Sequence, residues 1–267
     1  MLRTELLIEP DELRQAGDVV IVDCRYSLAD PEEGRRLYQA GHIPGARYLD
    51  LNRDLSSQAG QHGGRHPLPQ LEVLAEKLAA CGIGPGTTVV AYDDSRFAYA
   101  ARLWWLMRSM GYRQPRLLNG GYQAWLASEG ETGTESQPGA RAEPGGNEFG
   151  GYCDINGLKV LQSQNCLLVD SREERRYQGL EEPIDPIAGH IPGAINRPWQ
   201  GVTDDAGRML DEQALRAHWG QALEAAPLVI YCGSGVTACV NLFSLALLGR
   251  DDAILYAGSW SDWCSYL

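Results

Sequence analysis

Six consecutive residues, GHIPGA, occur twice in this chain, at 41–46 and again at 189–194. Other blocks repeat around them. VVIVDCR (19–25) is answered by CLLVDSR (166–172), and TVVAYD, ending at Asp93, by PLVIYC, ending at Cys232. NGGYQAW (119–125) is answered by AGSWSDW (257–263). The blocks keep their order and similar offsets, which predicts a tandem of two related domains rather than one continuous core. Within each half, the runs VVIV, TVVAY and LVIY have the unalternating apolar character of parallel strands buried on both faces. LEVLAEKLAACG and ALRAHWGQALEA carry the periodicity of the helices between such strands. Each half is therefore expected to be α/β, a mostly parallel sheet flanked by helices. SEGETGTESQPGARAEPGGNEFGG, from Ser128 to Gly151, is rich in Gly, Pro, Ser and Glu and has no periodicity, as a linker would. The expected division is 1–130 for the first domain, 131–150 for the linker and 151–267 for the second domain.

The halves differ in chemistry. In LVIYC-GSGVT-ACVNLFSLALLG an apolar strand stops at Cys232 and turns through Gly233, Ser234, Gly235, Val236 and Thr237 into a helix. Gly233 and Gly235 let the backbone curl so that several N–H groups face the sulfur. The helix beginning near Thr237 adds the positive end of its dipole, a setting that favours a thiolate. Such a loop cradles a cysteine anion. Free cysteines are more often small buried hydrophobes, and Cys24, Cys81, Cys153, Cys166, Cys239 and Cys264 lack this glycine-turn-helix setting, so they are read as structural. In the first half, Asp93 followed by DSRFA replaces the cysteine loop. An aspartate cannot serve as a thiolate, so the first domain is expected to be catalytically inactive.

Composition bounds the rest. With 267 residues, 44% of them hydrophobic and 22% charged, the chain is that of a folded protein. No apolar run has membrane-spanning length, and MLRTELLIEPDEL lacks the features of a secretory signal. The 7 Cys are odd in number and irregular in spacing, which suggests neither a disulfide framework nor a zinc site and fits a reducing cytoplasm. A net charge of −12 argues against nucleic-acid or anionic-membrane partners. An anionic substrate would need a local cation, and most of the positive charge is arginine, suited to gripping oxyanions through paired hydrogen bonds.

These residues resemble the two-domain sulfurtransferases of the rhodanese family over essentially the whole chain. Tyr38-Gln-Ala-Gly-His42-Ile43-Pro44-Gly45-Ala46 resembles the family's N-terminal signature. Tyr256-Ala-Gly-Ser-Trp260-Ser-Asp262-Trp263 resembles its C-terminal one, with Asp262 where glutamate is usual. The loop Cys232–Thr237 is similar to that of 3-mercaptopyruvate sulfurtransferases, whereas thiosulfate-using rhodaneses carry basic residues after the cysteine. A neutral loop with an arginine further out suits a donor whose charge is a carboxylate distant from its sulfur. The resemblance implies that Arg176, followed by Tyr177, clamps that carboxylate, with Arg172 as a helper; the alternative for Arg176 is a solvated surface arginine in SREERR. The second arginine that mercaptopyruvate enzymes often carry has no counterpart in GLEEPIDPIAGH. The resemblance also implies a Ser–His–Asp relay, with Ser234 and His66 matching the first two members. Asn52 falls at the acid's position, leaving Asp50 or Asp54 as substitutes, and His66 has the alternative of a packing residue. His42 and His190 occur in both halves and are read as structural. Asp23, Arg25, Asp170 and Arg172 are expected to tie strand ends to neighbouring loops.

The implied reaction is a double displacement. Cys232 takes sulfur from 3-mercaptopyruvate as a persulfide cradled by the loop amides, then passes it to a thiol, thioredoxin or cyanide. No metal or organic cofactor is implied. Thiosulfate as donor is the alternative. A cysteine phosphatase would need an arginine six positions after the cysteine, where Ala238 stands. A non-catalytic binding module would fit better had both halves lost their cysteine.

Overall fold

The computed structural model describes residues 3–136 and 139–267. They form two compact units that are not contiguous in sequence. The first comprises Met1–Ser57, Pro69–Gly150 and Thr203–Met209; the second comprises Gln58–Leu68, Gly151–Val202 and Leu210–Leu267. Each unit thus includes a short segment from the other half of the sequence.

The first unit holds β1 (Leu7–Ile8), β2 (Val20–Asp23), β3 (Arg47–Tyr48), β4 (Val89–Tyr92) and β5 (Arg116–Leu118) in one sheet of order β1-β5-β4-β2-β3. The second holds β6 (Tyr152–Cys153), β7 (Leu167–Asp170), β8 (Ile195–Asn196), β9 (Leu228–Tyr231) and β10 (Ile254–Tyr256) in the order β6-β10-β9-β7-β8. The two orders are the same topology shifted by five strands, and every pairing is parallel. The β-branched runs fall on the strands as expected, and β4 and β9 are buried along their whole length because helices cover both faces of such a sheet. Helix starts follow local chemistry. Asp154 accepts the N–H of Gly157 at 2.8 Å ahead of the helix Ile155–Ser163, and Asp211 caps Glu212–Trp219 through Ala214.

The repeated motifs build one frame twice. Arg25 forks onto Asp23 and reaches the carbonyl of Gly41 at 2.7 Å; Arg172 forks onto Asp170 and reaches Gly189 at 2.6 Å. His42 bonds the Tyr38 carbonyl through Nδ1 and stacks on that ring, and His190 does the same with Tyr177. Tyr92 accepts the N–H of Ile43 as Tyr231 accepts that of Ile191. These histidines and ion pairs therefore fix the GHIPGA turn to the ends of the central strands in both units.

The Gly- and Pro-rich stretch after Ser128 lies along the first unit. Gly133 bridges His42, Ala142 donates to the Ala79 carbonyl, and Asn147 donates to that of Met110. Residues 137 and 138 of this stretch lie outside the described residues.

In the first unit Asp93 follows β4 directly, and its carboxylate accepts four backbone N–H groups. Those of Ser95 and Phe97 reach Oδ1, and those of Tyr99 and Ala100 reach Oδ2, at 2.8–3.1 Å. Arg96 and Phe97 take positive φ to close this turn. The anion that the cradle encloses is thus its own side chain. The segment Thr203–Met209 lies over the same turn: Arg96 donates to Thr203 and Asp204, and Asn119 accepts the N–H of Met209 at 2.9 Å.

Burial pushes the Asp93 carboxyl up to about 6 against the pull of its N–H donors. A folded pKa above the unfolded value gives stability that is full below about pH 4 and lost as pH rises through 6. At 1.36 kcal/mol per unit the swing is roughly 3 kcal/mol. Measured in urea between pH 4 and 7, the stability advantage of the wild type over Asp93→Ala should shrink by about that amount. An advantage that grows with pH would refute the assignment.

Candidate active site

Cys232 is the first residue after β9, at the carboxyl end of the sheet where α/β folds place ligands. Its backbone is clamped by the AGSWSDW block. The N–H of Cys232 donates to Ser259 Oγ at 3.1 Å, its carbonyl accepts the Trp260 N–H at 3.0 Å, and the Gly233 carbonyl accepts the Ser261 N–H at 2.9 Å. Ser259 holds φ at 57°, a left-handed conformation unusual for serine, and its hydroxyl donates to the Tyr256 carbonyl at 3.0 Å. That combination places one oxygen between the strand end and the loop. The matching position in the first unit is Gly121, also left-handed.

The loop's two glycines serve different ends. Gly235 takes φ +75°, and a Cβ there would lie 2.3 Å from the Ala257 carbonyl oxygen, so both conformation and space demand glycine. Gly233 has no such φ; a Cβ there would instead meet Arg65 Nη2 at 3.0 Å and Arg176 Nη2 and Nη1 at 3.5 and 3.6 Å. Val236 is buried, and Thr237 precedes the helix Ala238–Leu247, whose N-terminus thus opens at the loop.

Ser234 and His66 meet. Ser234 Oγ lies 2.7 Å from His66 Nδ1, and both residues are buried. His66 reaches the loop because the segment Gln58–Leu68 is seated on this unit. Gly63 donates its N–H to Asp262 Oδ1 at 2.7 Å, Arg65 donates its own to Ser261 Oγ at 3.1 Å, and His62 stacks on Tyr266. Asp262 also accepts the Tyr256 hydroxyl at 2.7 Å, so the shorter acid of the AGSWSDW block anchors this segment. Asn52 and Asp50 sit in the first unit with partners of their own. Asn52 Nδ2 donates to the Tyr26 hydroxyl, and Asp50 accepts the N–H groups of Asn52 and Arg53. Asp54 accepts the Asp50 N–H and pairs with Lys77.

Arg176 is held at the loop by Glu182 and Asp185, at 2.7 and 3.2 Å, so it is not a solvated surface arginine. Arg172 is buried, forked onto Asp170, bonded to Glu182 at 3.0 Å and stacked over Trp260. Burial works against the charge of Glu182, but Arg176 and the N–H groups of Asp185 and Ile184 outweigh it and hold the carboxyl below the usual glutamate range. Sequence reasoning missed Arg65, Asp185 and Glu182. GLEEPIDPIAGH contains no arginine, yet its acids Glu182 and Asp185 hold arginines from elsewhere.

All seven cysteines are free. Burial pushes the thiols of Cys24, Cys81, Cys153, Cys166 and Cys264 upward, which keeps them protonated. An unreactive background around one loop cysteine suits nucleophilic sulfur chemistry.

Known proteins resemble both halves of the chain. A family model described as rhodanese-like domain matches residues 9–128 and again 157–266. A probable 3-mercaptopyruvate sulfurtransferase of Pseudomonas aeruginosa is 45% identical over 258 residues, covering 92% of this chain and 89% of that protein. A putative thiosulfate sulfurtransferase, SseB, of Mycobacterium tuberculosis is 38% identical over 278 residues, covering 98% and 95%. The solved structure of 3-mercaptopyruvate sulfurtransferase from Leishmania major superposes with a TM-score of 0.85 at 29% identity, covering 98% of this chain and 75% of that one.

Gly235→Ala should destabilise the protein by about 3 kcal/mol or more, since left-handed strain adds to a backbone overlap. Gly193→Ala is the matched control, with φ +84° and nothing within 4 Å of the added Cβ. It should cost only about 1–2 kcal/mol. Equal losses in denaturant melts of the two variants would show that contact with Ala257 plays no part.

Proposed function

The chain belongs to the rhodanese family, and on that premise we propose that it transfers sulfur from 3-mercaptopyruvate through a persulfide on Cys232. The observation that carries this reading is the 2.7 Å contact between Ser234 and His66 inside a loop that has no cation of its own. Mercaptopyruvate requires a proton to move and thiosulfate does not, so a hydroxyl–imidazole pair beside the nucleophile favours the former.

In the proposed reaction the substrate thiol gives its proton to the Ser234–His66 pair as the Cys232 thiolate attacks the sulfur. An S–S bond forms and the C–S bond breaks, its electrons passing to carbon as the pyruvate enolate. The pair returns the proton to that carbon, and pyruvate leaves. The N–H groups of residues 233–237 and the helix beginning at Ala238 stabilise the anionic persulfide. Arg176 grips the substrate carboxylate, with Arg172 holding it in place through Glu182. A thiol, thioredoxin or cyanide then takes the outer sulfur and regenerates the Cys232 thiolate. Seven unpaired cysteines support a reducing, cytoplasmic setting. Among the described residues no helix is long and apolar enough to cross a membrane.

Thiosulfate is the second reading. Two guanidinium groups at Gly233 would suit a dianion, and one of the relatives carries that name.

Intact mass after mixing with each donor, with pyruvate followed in parallel, separates the readings. One sulfur added to Cys232 with pyruvate released is expected from mercaptopyruvate, and none in Cys232→Ser. Sulfur gained mainly from thiosulfate would replace the donor, and sulfur from neither would end the sulfur-transfer reading. Ser234→Ala should lower kcat with mercaptopyruvate about a hundredfold but change any thiosulfate turnover by less than about threefold. Equal losses on both donors would remove the proton-transfer role.

A further inference from the structure

Arg96 combines a backbone conformation that arginine avoids with a side chain that makes three bonds to one segment. It stands three residues past the end of β4, as Gly235 stands three residues past Tyr231 and Cys232 at the end of β9, counted from Asp93 and Cys232 respectively. Both positions are left-handed, with φ 57° and 75°. Glycine meets that demand freely, whereas in any L side chain Cβ is brought against a carbonyl oxygen. The first unit fills the position with arginine and holds it there through Asp93. One oxygen, Oδ1, accepts the N–H groups on either side of Arg96, from Ser95 at 2.8 Å and from Phe97 at 3.1 Å. The guanidinium then donates to Thr203 Oγ1 at 2.8 Å and to the carbonyls of Thr203 and Asp204 at 3.3 and 2.5 Å. Gly207 lies against the same side chain, since a Cβ there would be 3.5 Å from Arg96 Cγ. Arg96 thus grips the hairpin 203–209, which is closed by an antiparallel bridge between Thr203 and Met209. The far strand of the hairpin is held separately. Asn119 accepts the Met209 N–H at 2.9 Å, Arg3 donates to the Met209 carbonyl at 2.7 Å, and Arg208 pairs with Glu9 at 2.7 Å. All of these partners belong to the first unit, whereas Val202 and Leu210, on either side of the hairpin, belong to the second. A strained residue whose side chain carries a specific set of bonds points to a task beyond closing a turn.

We propose that the Asp93 turn is a clasp: its carboxylate aims Arg96, and Arg96 fastens the hairpin 203–209 to the first unit. Arg96 is the gripping residue and Asp93 the positioning residue that acts through it. The strand-end turn without a cysteine therefore has a conformational task of its own, holding a segment drawn from the second half of the sequence. This role involves no sulfur chemistry and stands whichever donor the protein uses.

The test is amide hydrogen exchange on the full chain, comparing the hairpin amides of Asp204, Gly207 and Met209 with those of β2 in the same unit. Arg96→Gly suits the left-handed backbone and removes only the guanidinium. It should speed hairpin exchange about tenfold, the effect of losing charge-assisted hydrogen bonds, and leave β2 within about threefold. Asp93→Ala should speed the hairpin about tenfold more than it speeds β2. Added to Arg96→Gly, Asp93→Ala should change the ratio of hairpin to β2 rates by less than about threefold, because two residues acting through one grip are not additive. Unchanged hairpin exchange in Arg96→Gly would overturn the proposal, and that variant decides it even if Asp93→Ala does not fold. Equal acceleration of hairpin and β2 in either single variant would overturn it as well, since that marks general loosening of the unit. Additive effects in the double variant would show that Asp93 does not act through Arg96.

Discussion

The fork between a strand-end aspartate and the arginine two residues on is the interaction from which the rest of each unit is hung. In the second unit Arg172 and Asp170 are buried, where removing either partner would leave an uncompensated charge costing about 3–5 kcal/mol. Once formed, the fork leaves guanidinium N–H groups to spare. One takes the Gly189 carbonyl and fixes the GHIPGA turn; another takes Glu182 and so reaches Arg176. Position is thereby transmitted from the sheet to the loop mouth through bonds of fixed geometry. In the first unit the same fork binds Gly41 and Asp23, and the transmission stops there, with no cysteine at the end of β4.

The two strand-end turns solve one electrostatic problem in opposite ways. A turn that gathers backbone N–H groups after a central strand creates an anion site. At Asp93 the side chain fills it, with four N–H donors and two non-glycine residues forced to positive φ. At Cys232 the turn is built on Gly235, and the clamp on its backbone comes from Ser259, Trp260 and Ser261. The first arrangement is closed by its own side chain. The second is braced from outside, by the block that follows β10.

Much of this was legible in the sequence, for local reasons. Repeated blocks gave the tandem, apolar runs gave the strands, and a cysteine between such a strand and glycines marked the candidate nucleophile. The pairing of Ser234 with His66 was reached only by resemblance, since 168 residues separate them. Arg65 was not reached at all. Its carboxylate partner lies 120 residues away, and its neighbours in sequence give no hint that the segment is seated on the second unit. Likewise the acids of GLEEPIDPIAGH read as an absence of arginine, because a sequence shows which charges a segment carries and not which it attracts. The Gly- and Pro-rich stretch had no periodicity to reveal that its backbone bonds to the first unit.

Membership of the segments Gln58–Leu68 and Thr203–Met209 in units from the opposite halves of the sequence bears on how such a tandem can change over time. A duplicated gene can ordinarily lose one copy and keep a working single domain. Here the stretch coding for residues 151–267 omits His66 and Arg65, and the stretch coding for residues 1–150 omits the hairpin that lies over Asp93. Neither half is therefore a spare. The half that carries Asp93 supplies a segment to the other unit and takes one from it, so each half of the sequence completes its counterpart's unit.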